Sequence, residues 1–203
     1  MGHKIVFATG NEGKMKEIRL ILADLGLEIL SMKEAGVDLD IVEDGKSFEE
    51  NAAIKARAVW EKTGGIVLAD DSGLVIDYLD GEPGIYSARY LGEDTSYEYK
   101  NRVILERMEK AQGEERSARF VSAIAAVLPD GRMLGTLGVV EGLIVGEPAG
   151  DGGFGYDPIF YLPEFGMTSA EIPIELKNEI SHRGKALVAM KDKIRKVFEE
   201  EHR

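Results

Sequence analysis

The sequence predicts an α/β fold with a mixed sheet flanked by helices. Two observations lead to this class: strand and helix patterns alternate at both ends of the chain, and a hairpin pattern lies in the middle. The 203 residues, 44% of them hydrophobic, are enough for one core or for two lobes that share one sheet. We therefore predict a single domain over residues 1–203, built of two lobes with a cleft between them.

Short apolar runs and helical spacings locate the individual elements along the chain. Runs rich in β-forming residues predict strands at 4–9, 28–30, 66–68, 74–76, 118–128 and 133–140. Helical patterns predict helices at 14–25, 48–62, 95–110, 174–179 and 182–200. Capping-box patterns mark two of the helix starts, Ser47 with Glu50 and Thr95 with Glu98. The sequence Pro129–Asp130–Gly131 predicts a hairpin turn between the last two strands.

Composition and charge exclude several classes of protein. A net charge of −12 argues against binding of duplex nucleic acid, because such proteins present a basic surface. No apolar run approaches the roughly 20 residues that span a bilayer, so no membrane segment is expected. Cysteine is absent, which excludes disulfides and thiolate metal sites. With no signal-peptide pattern at its start, the chain is expected to be cytoplasmic.

The stretch TGNEGK connects the first predicted strand to the first predicted helix. Free backbone N–H groups and the helix dipole favour an anion at a helix start, and a lysine there is unfavourable without one. The pattern therefore indicates an anionic ligand, although its spacing is not that of a Walker A loop. A Gly/Asn turn with a solvated lysine is the alternative interpretation. The candidate binding residues are Thr9, Gly10, Asn11, Glu12, Gly13 and Lys14.

Two adjacent aspartates, Asp70 and Asp71, follow the apolar run 66–68. Neighbours in an extended chain point to opposite sides, so one carboxylate can be held inside the fold while the other faces a cleft. Ligands of α/β sheets usually bind at strand ends, where carboxylates can hold Mg²⁺ or draw a proton from water. An Asx-turn with a solvated carboxylate is the alternative interpretation.

The segment 41–57 adds further polar and charged candidates. Asn51 and Lys55 are four residues apart on the predicted helix and share one face of it. Glu43 lies in the loop before this helix and is a candidate second acidic metal ligand. A solvated surface position is the alternative for each of these residues.

The glycine-rich stretch GGFGYDP indicates a loop with unusual backbone freedom. A purine base can stack on Phe154 or Tyr156, while Asp157 or backbone groups of the loop contact the edge of the base. Alternatively, the loop is only a tight turn whose aromatic side chains belong to the core.

The stretch SHRGKAL begins the last predicted helix and places three basic residues in its first turn. His182, Arg183 and Lys185 lie at the positive end of the helix dipole, which is unfavourable unless an anionic or polar group approaches. The pattern indicates a ligand, although a lone histidine is more often structural.

Six stretches together resemble one family, the inosine triphosphate pyrophosphatases, also called non-canonical purine nucleoside triphosphate pyrophosphatases. They are TGNEGK at 9–14, SFEENAAIKA at 47–56, LADDSGL at 68–74, PGIYSARY at 83–90, GGFGYDPIF at 152–160 and SHRGKAL at 181–187. The resemblance implies an elongated α/β fold with a twisted sheet and a nucleotide cleft between two lobes. It also implies Mg²⁺-dependent hydrolysis of ITP, dITP and XTP to the monophosphate and pyrophosphate by a homodimer that cleanses the nucleotide pool.

The resemblance also implies a role for each matching residue. Asp71 would be the general base and a metal ligand, with Asp70 and Glu43 as further metal ligands. Residues expected to bind the substrate are Thr9, Gly10, Asn11, Glu12, Gly13, Lys14, Lys55, Ser72, Phe154, Gly155, Tyr156, Asp157, Lys177, His182 and Arg183. Of these, His182 and Arg183 would face the base.

The sequence is compatible with two other functions. One is a house-cleaning pyrophosphatase for other modified nucleotides, and the second is a nucleotide sensor that binds without cutting. The adjacent aspartates favour catalysis, because a sensor needs no base beside a metal ion.

Overall fold

The computed structural model describes residues 4–201 and contains five α-helices and one seven-stranded sheet within that range. The helices are α1 (Glu12–Leu22), α2 (Phe48–Thr63), α3 (Tyr97–Arg107), α4 (Ile174–Ile180) and α5 (His182–Glu201). The strands are β1 (Lys4–Phe7), β2 (Glu28–Ser31), β3 (Ile66–Ile76), β4 (Ser117–Val127), β5 (Met133–Ile144), β6 (Phe160–Leu162) and β7 (Met167–Thr168). None of the helices in this range has the length and apolar character needed to cross a bilayer.

The sheet is mixed and flanked by helices, which confirms the predicted fold class. Its strand order is β2-β1-β3-β4-β5-β6-β7. β1 pairs in parallel with β2 and with β3, whereas β6 pairs antiparallel with β5 and with β7. The turn between β4 and β5 closes with a hydrogen bond from Leu128 N to Arg132 O, as the hairpin pattern predicts.

The chain divides into two compact units. Of the described residues, unit 1 comprises 4–71, 122–138 and 182–201. Its core brings together apolar side chains from β1, α1, β3, β4 and α5. Unit 2 comprises residues 72–121 and 139–181, and a second core of buried aliphatic and aromatic side chains holds it together.

Glycine is required where β5 meets α5 within unit 1. A Cβ atom placed on Gly138 would collide with the backbone oxygen of His182 and the backbone nitrogen of Ala186. Backbone atoms cannot move aside as a flexible side chain does, so this glycine permits the close approach of the strand to the helix. The start of α5, which carries Arg183, is positioned by this contact.

Three local predictions are wrong in detail. The predicted strands 66–68 and 74–76 are one continuous strand, β3, because the aspartates between them find partners instead of forming a turn. Helix α3 is capped by Ser96, which accepts from Tyr99 N, while the Thr95 hydroxyl donates to Leu91 O. The Ser47 cap is confirmed, but the Glu50 carboxylate accepts from Lys46 N, so the capping box is incomplete. The short strands β6 and β7 were not predicted.

Candidate functional site

The TGNEGK stretch forms a structured turn at the start of α1. Thr9 Oγ1 accepts from Asn11 N at 3.1 Å, and Asn11 Oδ1 accepts from Lys14 N at 3.0 Å. Asn11 is thus the N-cap, and α1 begins at Glu12, two residues before the predicted start. The N–H groups of Glu12 and Gly13 lie in the first helical turn, where a backbone donor has no partner within the helix.

The side chain of Lys14 is directed at Asp70, which is only 1% exposed. Lys14 Nζ lies 3.0 Å from Asp70 Oδ2, and Arg183 Nε lies 3.4 Å from the same oxygen. The unfavourable charge of Lys14 at the helix start is therefore compensated by a carboxylate of the chain itself. Burial raises the pKa of Asp70, but the positive charges of Lys14 and Arg183 outweigh it and hold the pKa far below its ordinary value. Burial lowers the pKa of Lys14.

Arg183 links Asp70 to a second buried acid. Its Nη1 lies 2.5 Å from Glu17 Oε2, so one guanidinium pairs with carboxylates from α1 and from β3. Arg183 and Glu17 are 3% and 5% exposed. Arg183 is therefore part of a buried ion network, and its implied role as a contact to the base stays a prediction.

Asp71, the next residue on β3, belongs to a different cluster. It is 7% exposed and accepts from Asn51 Nδ2 at 3.1 Å and from Lys55 Nζ at 3.3 Å. Lys55 Nζ also donates to Glu43 Oε2 at 2.9 Å. Burial raises the pKa of Asp71 above its ordinary value, and the charge of Glu43 adds to the shift, while Lys55 and Asn51 oppose it.

The two aspartates lie on opposite sides of β3, as expected of neighbours in an extended strand. Asp70 pairs with residues of α1 and α5, whereas Asp71 pairs with residues of α2. The parallel pairing of β3 with β1 ends at Leu68, so both carboxylates come within three residues of the end of the paired segment. This is the end of a parallel strand pair, where ligands of α/β sheets bind.

The three predicted metal ligands fall into these two clusters. Glu43 Oε2 and Asp71 Oδ1 both lie within 3.3 Å of one ammonium group, so these two carboxylates already converge on a cation and fit a divalent ion that prefers oxygen ligands. Asp70 instead pairs with Lys14 and Arg183. Within residues 4–201, no group of three or more acidic or histidine side chains is arranged to hold a metal ion. The structure thus does not bring the three predicted ligands together.

The glycine-rich loop of unit 2 is organised by Asp157. Its Oδ2 accepts from Phe154 N at 2.8 Å and from Lys177 Nζ at 2.7 Å. The Lys177 ammonium lies 5.2 Å from the centroid of the half-buried Phe154 ring. The structure therefore brings together Phe154 and Asp157 of the loop and Lys177 of α4, which span 23 positions of the sequence.

Tyr156 lies in the core of unit 2. It is 4% exposed, its hydroxyl donates to Ser87 O at 2.7 Å, and its ring forms a T-shaped pair with the Tyr97 ring at 5.2 Å between centroids. Burial raises its pKa well above the ordinary value. The placement favours the alternative interpretation, in which Tyr156 is a core aromatic and not a platform for a base.

The other residues predicted to contact the substrate lie on three different segments. Ser72 follows Asp71 on β3, Gly155 lies in the loop before Tyr156, and His182 is the buried first residue of α5. Their contacts with a substrate stay predictions.

Two positioning residues, Glu17 and Asn101, were not predicted, and the contact of a third, Asn51, was not assigned. The sequence did not indicate that Glu17 is buried. A glutamate on an amphipathic helix looks the same in the sequence whether it is solvated or paired inside the fold, until its partner is known. Asn51 was recognisable through its spacing of four from Lys55, but its contact with Asp71 was not assigned. Asn101, buried on α3, donates to Gly155 O at 3.1 Å and supports the glycine-rich loop.

Known proteins resemble this chain over nearly its whole length. The family model described as Ham1 family matches residues 5–193. A dITP/XTP pyrophosphatase of Geobacter sulfurreducens is 48% identical over 189 residues, which cover 93% of this chain and 95% of that protein. A dITP/XTP pyrophosphatase of Thermus thermophilus is 50% identical over 189 residues, covering 93% and 90%.

A solved structure has the same fold. The HAM1 protein from Coxiella burnetii superposes with a TM-score of 0.86 at 41% identity, covering 96% of this chain and 99% of that one. Together with the sequence matches, this confirms the resemblance that the six motifs indicated. The chain belongs to the Ham1 family.

Proposed function

We propose that this chain hydrolyses deaminated purine nucleoside triphosphates, ITP, dITP and XTP, to the nucleoside monophosphate and pyrophosphate with Mg²⁺ as cofactor. One observation carries the proposal: Asp71 is a nearly buried carboxylate held by Asn51 and Lys55 beside a second acid, Glu43. The names of the relatives in Geobacter and Thermus support the reaction and the substrate class.

Binding of the triphosphate is assigned to groups of unit 1. A triphosphate carries about four negative charges, and these must be offset before a nucleophile can approach phosphorus. The first-turn N–H groups of α1, together with Lys14 and Lys55, supply positive charge and hydrogen-bond donors. When bound, Mg²⁺ supplies further charge neutralisation, and Glu43 and Asp71 are the residues that would hold it.

Asp71 is assigned the role of general base. Its carboxylate orients a water molecule and accepts a proton from it as the water attacks the α-phosphorus, and pyrophosphate leaves. Asn51 fixes one oxygen of the carboxylate and leaves the other to Lys55. Holding the base in one orientation places the water in line with the bond that breaks.

Selectivity is assigned to a donor that pairs with the 6-oxo group of hypoxanthine or xanthine. Adenine has an amino group there, and an unpaired buried donor costs about 1–3 kcal/mol. Arg183 already pairs through Nε and Nη1 with two carboxylates. We therefore favour a backbone N–H of the glycine-rich loop as this donor, and the half-buried Phe154 as the stacking partner.

A panel of triphosphates tests the function. Pyrophosphate release from ITP, dITP, XTP, GTP, ATP and a pyrimidine triphosphate is measured with Mg²⁺ and with EDTA. We expect kcat/KM for the deaminated purines to exceed that for ATP by roughly tenfold to a hundredfold, the effect of one mispaired donor. Equal turnover of ATP and ITP would contradict the selectivity, preferred turnover of pyrimidines would favour a different house-cleaning enzyme, and binding without pyrophosphate release would identify a sensor.

We further propose that the protein acts as a homodimer in the cytoplasm. The assembly rests on the family resemblance and on exposed large side chains of unit 2, such as Tyr86 at 56% and Leu91 at 46% exposure. Light scattering after size exclusion should give twice the mass of one chain, and a monomer at micromolar concentration would refute the dimer.

A further inference from the structure

Lys55 occupies the position of a counter-ion between two acids. Its Nζ lies 2.9 Å from Glu43 Oε2 and 3.3 Å from Asp71 Oδ1, and its side chain is largely buried. These are the two carboxylates to which the proposed function assigns the metal. Without the lysine, two negative charges would lie close together in a partly desolvated place, which is unfavourable.

A divalent ion and this ammonium group compete for the same oxygens. Mg²⁺ approaches its oxygen ligands to about 2.1 Å, and a unit positive charge hydrogen-bonded to the same oxygens repels it strongly at low effective dielectric. A triphosphate changes the balance, because its oxygens offer the ammonium a new set of acceptors. The lysine can then leave the carboxylates without losing its charge pairing.

The two aspartates have different partners, and this difference is consistent with a movement of Lys55 from the carboxylates to the triphosphate. Asp70 is paired with two cations, the ammonium of Lys14 and the guanidinium of the buried Arg183, whose rigid planar fork is suited to fixed pairing. Among the cations of the described residues, Asp71 is paired only with the ammonium of Lys55, which is carried on a flexible four-carbon chain. Asn51 holds the second oxygen of Asp71 independently, so the carboxylate keeps its orientation when Lys55 moves.

We propose that Lys55 is a built-in counter-ion that neutralises Glu43 and Asp71 in the nucleotide-free protein and moves to the phosphates of the substrate. This inference rests on the proposed function and extends it to the order of binding. The divalent metal binds weakly alone and tightly together with nucleotide. By linkage, the nucleotide raises the affinity for the metal by the same factor by which the metal raises the affinity for the nucleotide.

The test compares Mn²⁺ binding to the full chain and to Lys55→Met, without nucleotide, by calorimetry and by the electron paramagnetic resonance signal of free Mn²⁺. We expect the variant to bind Mn²⁺ on the order of tenfold or more tightly than the wild type, since one competing charge is removed. The increase in Mn²⁺ affinity caused by inosine α,β-methylene triphosphate, which cannot be cleaved at this bond, should shrink in the variant. Unchanged or weaker Mn²⁺ binding by Lys55→Met would overturn the inference.

Two further variants serve as controls. Lys62→Met removes the same charge from an exposed position in the last turn of α2 and should bind Mn²⁺ like the wild type. Lys55→Arg retains the charge and can pair with both carboxylates through a planar fork, so it should bind Mn²⁺ more weakly than the wild type. This opposite change keeps the test valid if Lys55→Met does not fold, and tighter Mn²⁺ binding by Lys55→Arg would overturn the inference.

The outcome separates this inference from the proposed function. If the wild type releases pyrophosphate from ITP while Lys55→Met fails to gain Mn²⁺ affinity, the counter-ion role is wrong and the enzyme activity stands. If no form of the protein binds Mn²⁺ with nucleotide and none releases pyrophosphate, both are wrong.

Discussion

Asp71→Asn is expected to lower the rate of pyrophosphate release from ITP by roughly 10²–10⁴, the usual contribution of a positioned general base. The amide is nearly isosteric with the carboxylate but cannot accept the proton of the attacking water. It also removes one of the two acids that converge on Lys55. The measurement is kcat and KM for ITP at saturating Mg²⁺.

The same substitution should not destabilise the metal-free protein. Burial raises the pKa of Asp71, so the folded state disfavours the ionised carboxylate. The stability that the protonated carboxyl contributes is present below the unfolded pKa and is lost as pH rises through the folded pKa. At neutral pH in EDTA, Asp71→Asn should therefore melt at the wild-type temperature or above it. Loss of activity in a folded protein would place the defect in the chemistry.

A matched acid-to-amide change provides the control for Asp71. Asp44 is exposed in the loop next to Glu43, and Asp44→Asn should keep close to the wild-type rate. Wild-type activity in Asp71→Asn would show that another group removes the proton, and our assignment of the base would be wrong.

Arg183→Met is expected to lower the free energy of unfolding by about 3–5 kcal/mol, the cost of removing one partner from a buried ion pair. Arg183 pairs with Glu17 and Asp70, and all three side chains are buried. In the variant, Glu17 loses the cation to which it is bound by the 2.5 Å contact, while Asp70 keeps Lys14. Urea unfolding in EDTA measures the loss.

A double variant separates this effect from lost packing. Glu17→Met together with Arg183→Met replaces the pair by apolar side chains and should be less destabilised than the sum of the two single variants. Arg195→Met, which removes a half-exposed arginine paired with Asp24 from the same helix, should change stability by less than about 1 kcal/mol. A loss below that level in Arg183→Met, or strict additivity in the double variant, would contradict the network.

Much of the fold could be predicted because its signals are local. The helices α1, α2, α4 and α5 and the hairpin between β4 and β5 follow from apolar spacing, caps and turn residues within a few positions. The errors lie where neighbouring signals compete or are short. Thr95 and Ser96 are both good caps, and only the backbone path decides between them. The strands β6 and β7 have three and two residues, too few to show a period.

The candidate site was predictable in residue type but not in pairing. The sequence by itself determined that adjacent aspartates follow an apolar strand, that Lys14 lies close to a helix start, and that a glycine-rich loop carries two aromatics. Tertiary structure alone decided that Asp70 pairs with Arg183, 113 positions away, and Asp71 with Lys55. It likewise placed Tyr156 in the core. The reason is physical: periodicity and capping depend on neighbours in the chain, whereas the partner of a buried charge depends on which distant elements pack against it.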